Sequence, residues 1–146
     1  MTIRLTSADG FQFPAYVATP KDAPKAAVVV LQEIFGVNAH IREVADGYAA
    51  EGYLAIAPAT FHRAKPGVEL GYTPEDVQAG MALKTAIENL PAPGVIADIQ
   101  ATVDHAHITC GGKVGVVGYC WGGLLTWRTA ALSADCTAAS LSALSC

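Results

Sequence analysis

Residues 113–123, KVGVVGYCWGG, run from a short apolar segment into a cysteine with glycine two positions before it and two positions after it. The β-branched valines are typical of a buried strand, and the apolar residues after Gly123 are typical of the start of a helix. The segment therefore predicts a strand, a sharp turn at Cys120 and a helix. Such a turn brings neighbouring backbone so close that a Cβ atom at Gly118 or Gly122 would obstruct it.

The predicted turn suits Cys120 to nucleophilic chemistry. It lifts the central side chain clear of the sheet edge and directs the first N–H groups of the helix towards it. A nucleophile at this position meets both the positive end of the helix dipole and donors for an oxyanion. The alternative is that Cys120 is a small buried hydrophobic residue, as free cysteines often are. The flanking glycines favour the nucleophile.

Composition limits the class of protein. The 146 residues, 52% hydrophobic and 15% charged, are enough for one core-rich domain. The net charge of -4 and the lack of a basic run argue against nucleic acid and anionic membrane surfaces as partners, and favour a small molecule. Residues 1–30 contain no leader-like pattern, and no apolar run approaches the roughly 18 residues of a membrane span. A cytoplasmic protein is expected.

The four cysteines are Cys110, Cys120, Cys136 and Cys146. None forms a CxxC pair, and none has a metal-like spacing with the four histidines. The sequence therefore predicts neither a disulfide scaffold nor a metal site. Of the four, Cys120 has a chemical context, and the others are expected to have structural or incidental roles.

The remaining chain predicts alternating strands and helices. Two alternating segments around Asp9-Gly10 predict a β-hairpin, with Pro14 indicating an edge strand. Further strands are expected at 25–32, 53–58 and from residue 135, and helices at 40–51, 73–90, 94–107 and from 122 to about 132. The fold class is therefore α/β, a mainly parallel sheet with an N-terminal antiparallel hairpin and flanking helices.

A second polar group, Glu33, directly follows the most hydrophobic strand. The carboxyl ends of parallel strands meet at one edge of a sheet, so Glu33 and Cys120 could face each other there. A carboxylate beside a thiol can accept its proton. The alternative is a solvated loop residue or a cap for the following helix.

Residues 32–38, QEIFGVN, together with 115–123, GVVGYCWGG, resemble the dienelactone hydrolase family of α/β-hydrolases. The resemblance implies a lactone or ester hydrolase of the carboxymethylenebutenolidase type, acting without metal or organic cofactor. It also implies a role for six residues of this chain: Cys120 as nucleophile, Glu33 as the carboxylate that accepts its proton, the backbone N–H groups of Trp121 and Ile34 as the oxyanion hole, and Phe35 and Tyr119 in the substrate pocket.

The chain departs from the family pattern in two ways. The family has a substrate-binding arginine near the start of the helix after Pro74, but residues 75–81 contain none, and Arg63 or Lys65 could stand in. In addition, no histidine and only one acid, Asp135, follow Cys120, whereas the triad acid and histidine of α/β-hydrolases follow the nucleophile.

The histidines of this chain all precede Cys120. His105 and His107, with Asp104, are expected on the surface of a helix outside the sheet. His62, in the loop after a strand, could line the site. No histidine of the sequence is therefore expected to complete a triad with Cys120.

These departures predict a single, C-terminally incomplete α/β-hydrolase domain over residues 1–146, with impaired activity. An uncovered sheet edge could then support self-association. Two alternatives stay open. One is a non-catalytic α/β binding or assembly module. The other is a thiol redox protein, which the lack of a nearby second cysteine disfavours.

Overall fold

The computed structural model describes residues 1–132 and 136–142, the latter by their backbone. In order, the elements of these residues are β1 (Thr2–Thr6), β2 (Gln12–Ala18), β3 (Ala27–Leu31), α1 (Ala39–Ala50), β4 (Leu54–Pro58), α2 (Pro74–Glu88), α3 (Val95–Cys110), β5 (Val114–Tyr119), α4 (Trp121–Leu132) and β6 (Cys136–Ser142). Asp135 and Cys146 lie outside the described residues.

The six strands form one sheet in the order β1-β2-β4-β3-β5-β6. β1 pairs antiparallel with β2, and β2 with β4, whereas the β4–β3, β3–β5 and β5–β6 ladders are parallel. This arrangement confirms the predicted α/β class with an antiparallel hairpin at its start. Because β3 and β5 are parallel neighbours, the loops that follow them lie at the same edge of the sheet.

Helices cover both faces of the sheet. Val29 and Leu31 of β3 pack in one hydrophobic cluster with Ile99 of α3, while Val30 packs in another with Ile41 of α1. Successive residues of a strand point to opposite faces, so a central strand between helices must be apolar at every position. This explains the uninterrupted valines of β3.

Pro14 does not mark an edge strand, and that prediction was wrong. β1 forms this end of the sheet, and β2 lies between β1 and β4. The ladder with β4 begins at Ala15, and Pro14 lies just beyond it, where its carbonyl accepts from the Ala59 N–H at 3.0 Å. A proline is tolerated here because the N–H it lacks falls at the end of the ladder.

Two helices begin as their sequences predict. The Asn38 side chain accepts from the Ile41 N–H at 3.2 Å at the start of α1, and Thr73 Oγ1 accepts from the Asp76 N–H at 3.1 Å at the start of α2. These bonds satisfy donors that the first helical turn leaves free. Within the described residues, no helix is long and apolar enough to span a membrane.

Candidate active site

The turn at Cys120 has the conformation that the sequence predicts. It joins the last residue of β5 to the first residue of α4, and Cys120 has a φ of 54°. Within the described residues, no other non-glycine residue has a positive φ. Side chains with a Cβ rarely adopt this region, and strained residues of this kind cluster at functional sites.

Close backbone packing explains the two flanking glycines. A Cβ atom at Gly118 would lie 1.9 Å from the carbonyl oxygen of Gly122. A Cβ atom at Gly122 would lie 2.5 Å from the carbonyl oxygens of both Leu31 and Gln32. The second contact places the turn directly against the end of β3, one residue before Glu33.

Glu33 lies in a largely buried position at this edge of the sheet. Its residue is 8% exposed, and its Oε2 accepts from the Tyr72 hydroxyl at 3.4 Å. The Tyr72 ring meets Phe35 edge-on, with 4.6 Å between ring centroids. Burial, followed by the nearby Glu33 carboxylate, raises the pKa of Tyr72, although the hydrogen bond from Asn38 lowers it. Tyr72 is therefore a neutral hydrogen-bond donor at neutral pH.

Tyr72 was not predicted as a site residue. It lies at the end of the long loop after β4, and the Asn38 amide holds that loop by donating to the Leu70 carbonyl at 3.1 Å and to the Tyr72 hydroxyl at 3.3 Å. The sequence carries no local signal for this contact, because the two partners are more than thirty residues apart and meet through the folding of an irregular loop.

Gln32 fixes the backbone from which Glu33 projects. Its side chain is fully buried, its Nε2 donates to the Glu33 carbonyl at 3.0 Å, and its Oε1 accepts from the Thr60 N–H at 3.2 Å. Buried amide groups need such partners. A polar residue at the end of an apolar strand is the sequence signal that could have indicated this role.

Of the two residues predicted for the oxyanion hole, Ile34 lies in the loop after β3 and Trp121 is the first residue of α4. Ile34 is 3% exposed, and a Cβ atom at Gly80 of α2 would lie 2.2 Å from its carbonyl oxygen, so α2 packs directly on this loop. Trp121 is 4% exposed and stacks on Phe61 with 5.1 Å between ring centroids. Both residues are thus held by close packing.

The two aromatic residues predicted for the substrate pocket have different surroundings. Phe35 contacts Tyr72 beside Glu33. Tyr119 instead packs with Tyr48 of α1, and its ring meets that of His40 at 6.5 Å between centroids. Burial, followed by the Tyr48 hydroxyl, raises the pKa of Tyr119 to about 12.

Arg63 does not stand in for the missing arginine of α2. Its guanidinium donates to Asp98 at 2.8 Å and 2.7 Å, and to Asp9 at 2.8 Å and 3.0 Å. These bonds use the donors that a substrate carboxylate would need. Lys65, the other residue considered, is an exposed residue that lines a cavity with His62 and Arg42.

Two histidines of α3 were predicted at the surface. His107 is exposed, and its Nδ1 lies 2.9 Å from the Gly112 carbonyl. His105 differs from the prediction, because it is half-buried beside Thr109. His62 packs on Phe11 of the N-terminal hairpin, at 5.9 Å between ring centroids. Within the described residues, no cluster of three or more His, Cys, Asp or Glu side chains could hold a metal ion.

The oxidation state of Cys120 differs from expectation. Its sulfur is disulfide-bonded in this structure, whereas the sequence predicted a free thiol. Cys110 is free and half-buried. A disulfide sulfur is not a nucleophile, so any chemistry by the Cys120 thiolate begins with reduction of this bond.

A mixed α/β sheet with a strained residue between β5 and α4 is the arrangement of the α/β-hydrolases. The family model described as "Dienelactone hydrolase family" matches residues 13–143. The chain belongs to the dienelactone hydrolase family, as residues 32–38 and 115–123 predicted.

Individual relatives agree with this assignment. A Synechocystis sp. protein is 42% identical over 125 residues, which are 83% of this chain and 50% of that protein. The carboxymethylenebutenolidase of Pseudomonas putida is 36% identical over 131 residues, which are 88% of this chain and 55% of the enzyme. The chain spans about half the length of these relatives.

Solved structures show the same fold. The crystal structure of a Klebsiella pneumoniae protein assigned to the dienelactone hydrolases superposes with a TM-score of 0.71 at 35% identity, covering 94% of this chain and 58% of that chain. A Pyrococcus furiosus esterase gives a TM-score of 0.63 at 16% identity, covering 93% of this chain and 48% of the esterase. The second match supports the fold alone.

Proposed function

We propose that this chain provides the nucleophile half of a hydrolase for small lactones or esters, with the reduced Cys120 thiol as the attacking group. The observation that carries the proposal is the turn itself. Cys120 is held at a φ of 54°, and Gly122 packs against the carbonyls of Leu31 and Gln32, next to Glu33. A strained turn that packs against the segment carrying Glu33 is suited to acyl transfer.

Glu33 is proposed to hold the resting thiol and to accept its proton. A carboxylate that is 8% exposed keeps few water molecules, which strengthens its interaction with a neighbouring thiol. Tyr72 donates to Glu33 Oε2 and so orients the carboxylate. The backbone N–H groups of Trp121 and Ile34 are proposed as oxyanion donors, and Phe35 and Tyr119 as aromatic residues of the substrate pocket.

The proposed reaction has two steps. The Cys120 sulfur attacks the carbonyl carbon as its proton passes to Glu33, and the tetrahedral oxyanion accepts hydrogen bonds from the two backbone N–H groups. The ring C–O bond then breaks, the leaving oxygen becomes an enol or enolate, and a thioester remains on Cys120. Water hydrolyses this thioester, releasing the carboxylate product and the thiol.

The proposed substrate class follows from the relatives. Two Pseudomonas relatives are named carboxymethylenebutenolidase, so we propose a small lactone as the substrate. Residues 75–81 of this chain lack the arginine expected there, so we propose that its substrate need not carry the same carboxylate.

We also propose that the 146-residue chain turns over slowly by itself. None of its four histidines follows Cys120 in the sequence. In α/β-hydrolases the histidine of the triad follows the nucleophile, and thioester hydrolysis needs a base to activate water. A second chain could supply these groups, with β6, the last strand in the described sheet order, as the edge for association.

The test uses the fully reduced chain and the activated ester p-nitrophenyl acetate. We expect a burst of about one p-nitrophenolate per chain, followed by slow turnover, with the acetyl group on the Cys120 peptide by mass spectrometry. Cys120→Ser should abolish the burst, and Cys110→Ser should preserve it as a matched control. Glu33→Gln should slow it.

Two results would contradict the proposal. One is equal labelling of Cys110 and Cys120. The other is labelling of Cys120 only in unfolded chain, which would favour a non-catalytic α/β binding or assembly module. Fast steady turnover by the isolated chain would contradict the proposed impairment while leaving the nucleophile intact.

A further inference from the structure

Tyr72 forms the outer surface of the proposed site beside Glu33. Tyr72 is 58% exposed, whereas its partner Glu33 is 8% exposed. The Tyr72 hydroxyl donates to Glu33 Oε2 at 3.4 Å and accepts from the Asn38 amide at 3.3 Å, and the ring meets Phe35 edge-on. A substrate bound against Phe35 and Glu33 would therefore lie against the Tyr72 phenol.

Carboxylates of the β3–α1 loop, α1 and α2 lie near this phenol. Burial raises the pKa of Tyr72 most, and the nearby Glu33 and Glu43 carboxylates raise it further. The Asp76 carboxylate lies against the backbone next to Tyr72, since a Cβ atom at Gly71 would be 2.9 Å from its Oδ2. An anion at this position would be repelled.

The arginines of the neighbouring segments are engaged by other acceptors. Arg42 of α1 donates to the Val37 carbonyl at 2.8 Å and to the Glu69 carboxylate. Arg63, in the same long loop as Tyr72, donates twice to Asp98. Carboxylates of the protein thus offset the charges of both guanidinium groups.

The start of α2, next to Tyr72, is also balanced. The Thr73 hydroxyl accepts from the Asp76 N–H, and Glu75 and Asp76 place carboxylates in the first turn, where they oppose the helix dipole. Lys65 lines a different cavity, to which Tyr72 does not contribute. Within the described residues, the groups around Tyr72 thus offer no cation for a substrate carboxylate.

We propose that Tyr72 is a specificity-determining residue of the hydrolase site and makes it selective for uncharged lactones and esters over those that carry a carboxylate. This inference rests on the proposed function, because it concerns the substrates that reach Cys120. The phenol offers an aromatic ring and one neutral hydroxyl to an uncharged substrate, while the surrounding carboxylates oppose an anionic one. An arginine at this position would instead supply a positive charge and paired donors for a carboxylate.

The test compares two p-nitrophenyl esters that differ by one charge. One is mono-p-nitrophenyl adipate, which has an ionised carboxylate at pH 7, and the other is its methyl ester. For the reduced chain, we expect the burst of p-nitrophenolate to be about threefold to tenfold faster with the methyl ester, because the anionic ester is repelled. Cys120→Ser measures the background release from both esters.

Tyr72→Arg should remove most of this preference, because its guanidinium can pair with the adipate carboxylate. Ile108→Arg is the matched control. It adds the same charge at a position that is 79% exposed near the end of α3, at the opposite edge of the sheet, and should keep the preference. Tyr72→Phe removes the hydroxyl that orients Glu33 without adding a charge, so it should slow both esters and preserve the ratio of their rates.

A second measurement keeps the test decisive if Tyr72→Arg fails to fold. Raising the ionic strength from about 0.02 M to about 0.5 M screens exposed charges, so the unaltered chain should react about twofold to fivefold faster with the anionic ester and at an unchanged rate with the methyl ester.

The outcomes separate this inference from the proposed function. Equal burst rates for the two esters, an anionic rate that salt does not change, or equal effects of Tyr72→Arg and Ile108→Arg would each overturn the selectivity and leave the nucleophile in place. A burst with neither ester, or one that persists in Cys120→Ser, would overturn the proposed function and the inference with it.

Discussion

Replacing Arg63 with leucine would leave the Asp98 carboxylate buried without its counter-charge. The Asp98 side chain is fully buried on α3, and it accepts from Arg63 Nε at 2.8 Å, from Arg63 Nη2 at 2.7 Å and from the Ser7 hydroxyl. Arg63 lies in the loop after β4 and Ser7 in the turn after β1. The ion pair therefore joins three segments that are distant in the chain.

The size of the effect follows from these contacts. Hydrogen bonds to charged groups contribute about 1.5–3 kcal/mol each, so losing two of them predicts about 3–6 kcal/mol. Removing one partner of a buried ion pair typically costs about 3–5 kcal/mol, because an uncompensated charge remains inside the protein. We expect Arg63→Leu to lower the free energy of unfolding by about 4 kcal/mol, near the middle of both ranges.

Urea unfolding of the reduced chain at pH 7, followed by circular dichroism, measures this change. Asp9→Asn is the control, since it removes the more exposed partner of Arg63. The Asp9 side chain is 42% exposed, so its loss should cost much less than Arg63→Leu. The double variant Arg63→Leu/Asp98→Asn should lose less stability than the sum of the two single variants. A loss below about 1 kcal/mol for Arg63→Leu, or strict additivity, would refute the reasoning.

Further predictions concern the turn and two titrating groups. Gly122→Ala should destabilise the fold by about 1–3 kcal/mol. Gly47→Ala in α1, where a Cβ atom meets nothing within 4 Å, should stabilise it by about 0.5–1 kcal/mol. Thermal unfolding compares the two variants, and equal effects would contradict the packing argument. Because burial raises the pKa of Tyr119 to about 12, the contribution of this neutral phenol to stability is complete below pH 10 and falls as the pH rises towards 12. Tyr119→Phe should reduce this alkaline loss of stability. An alkaline stability profile unchanged by Tyr119→Phe would contradict the prediction. The hydrogen bonds from Arg63 and from the Phe11 N–H lower the pKa of Asp9, so the contribution of its carboxylate to stability is present above the ordinary pKa of 3.8 and falls at more acid pH. The difference in unfolding free energy between the unaltered chain and Asp9→Asn should therefore shrink as the pH drops below about 4. A difference that grows in this range would contradict the prediction.

Much of the fold could be predicted because the signals are local. Each signal depends on only a few neighbouring residues. Examples are the unbroken apolar run of β3, the caps at Asn38 and Thr73, and the glycines around Cys120. The interpretation of Pro14 failed because the position of a strand within a sheet is not a local property. The hairpin was recognisable, but the sequence alone did not indicate that β4 would pair with its second strand.

The positions of the two motifs in the fold were predictable from the sequence, whereas the contacts between the loops that carry them were not. Cys120 and Glu33 follow strands with clear signals, whereas Tyr72 reaches Glu33 from an irregular loop of the chain. Arg63 was considered as a substrate-binding residue, but its charge is engaged by Asp98, whose burial the helical pattern of α3 did not reveal.

The sequence by itself determined the order of strands and helices, the sharp turn at Cys120 and the family, because these depend on neighbouring residues and on motifs of adjacent positions. The tertiary structure alone decided that Gly122 abuts the end of β3, that Tyr72 donates to Glu33, and that the Trp121 indole has no partner. These contacts join residues far apart in the chain, and their geometry is set by how helices and loops pack on the sheet rather than by any local preference.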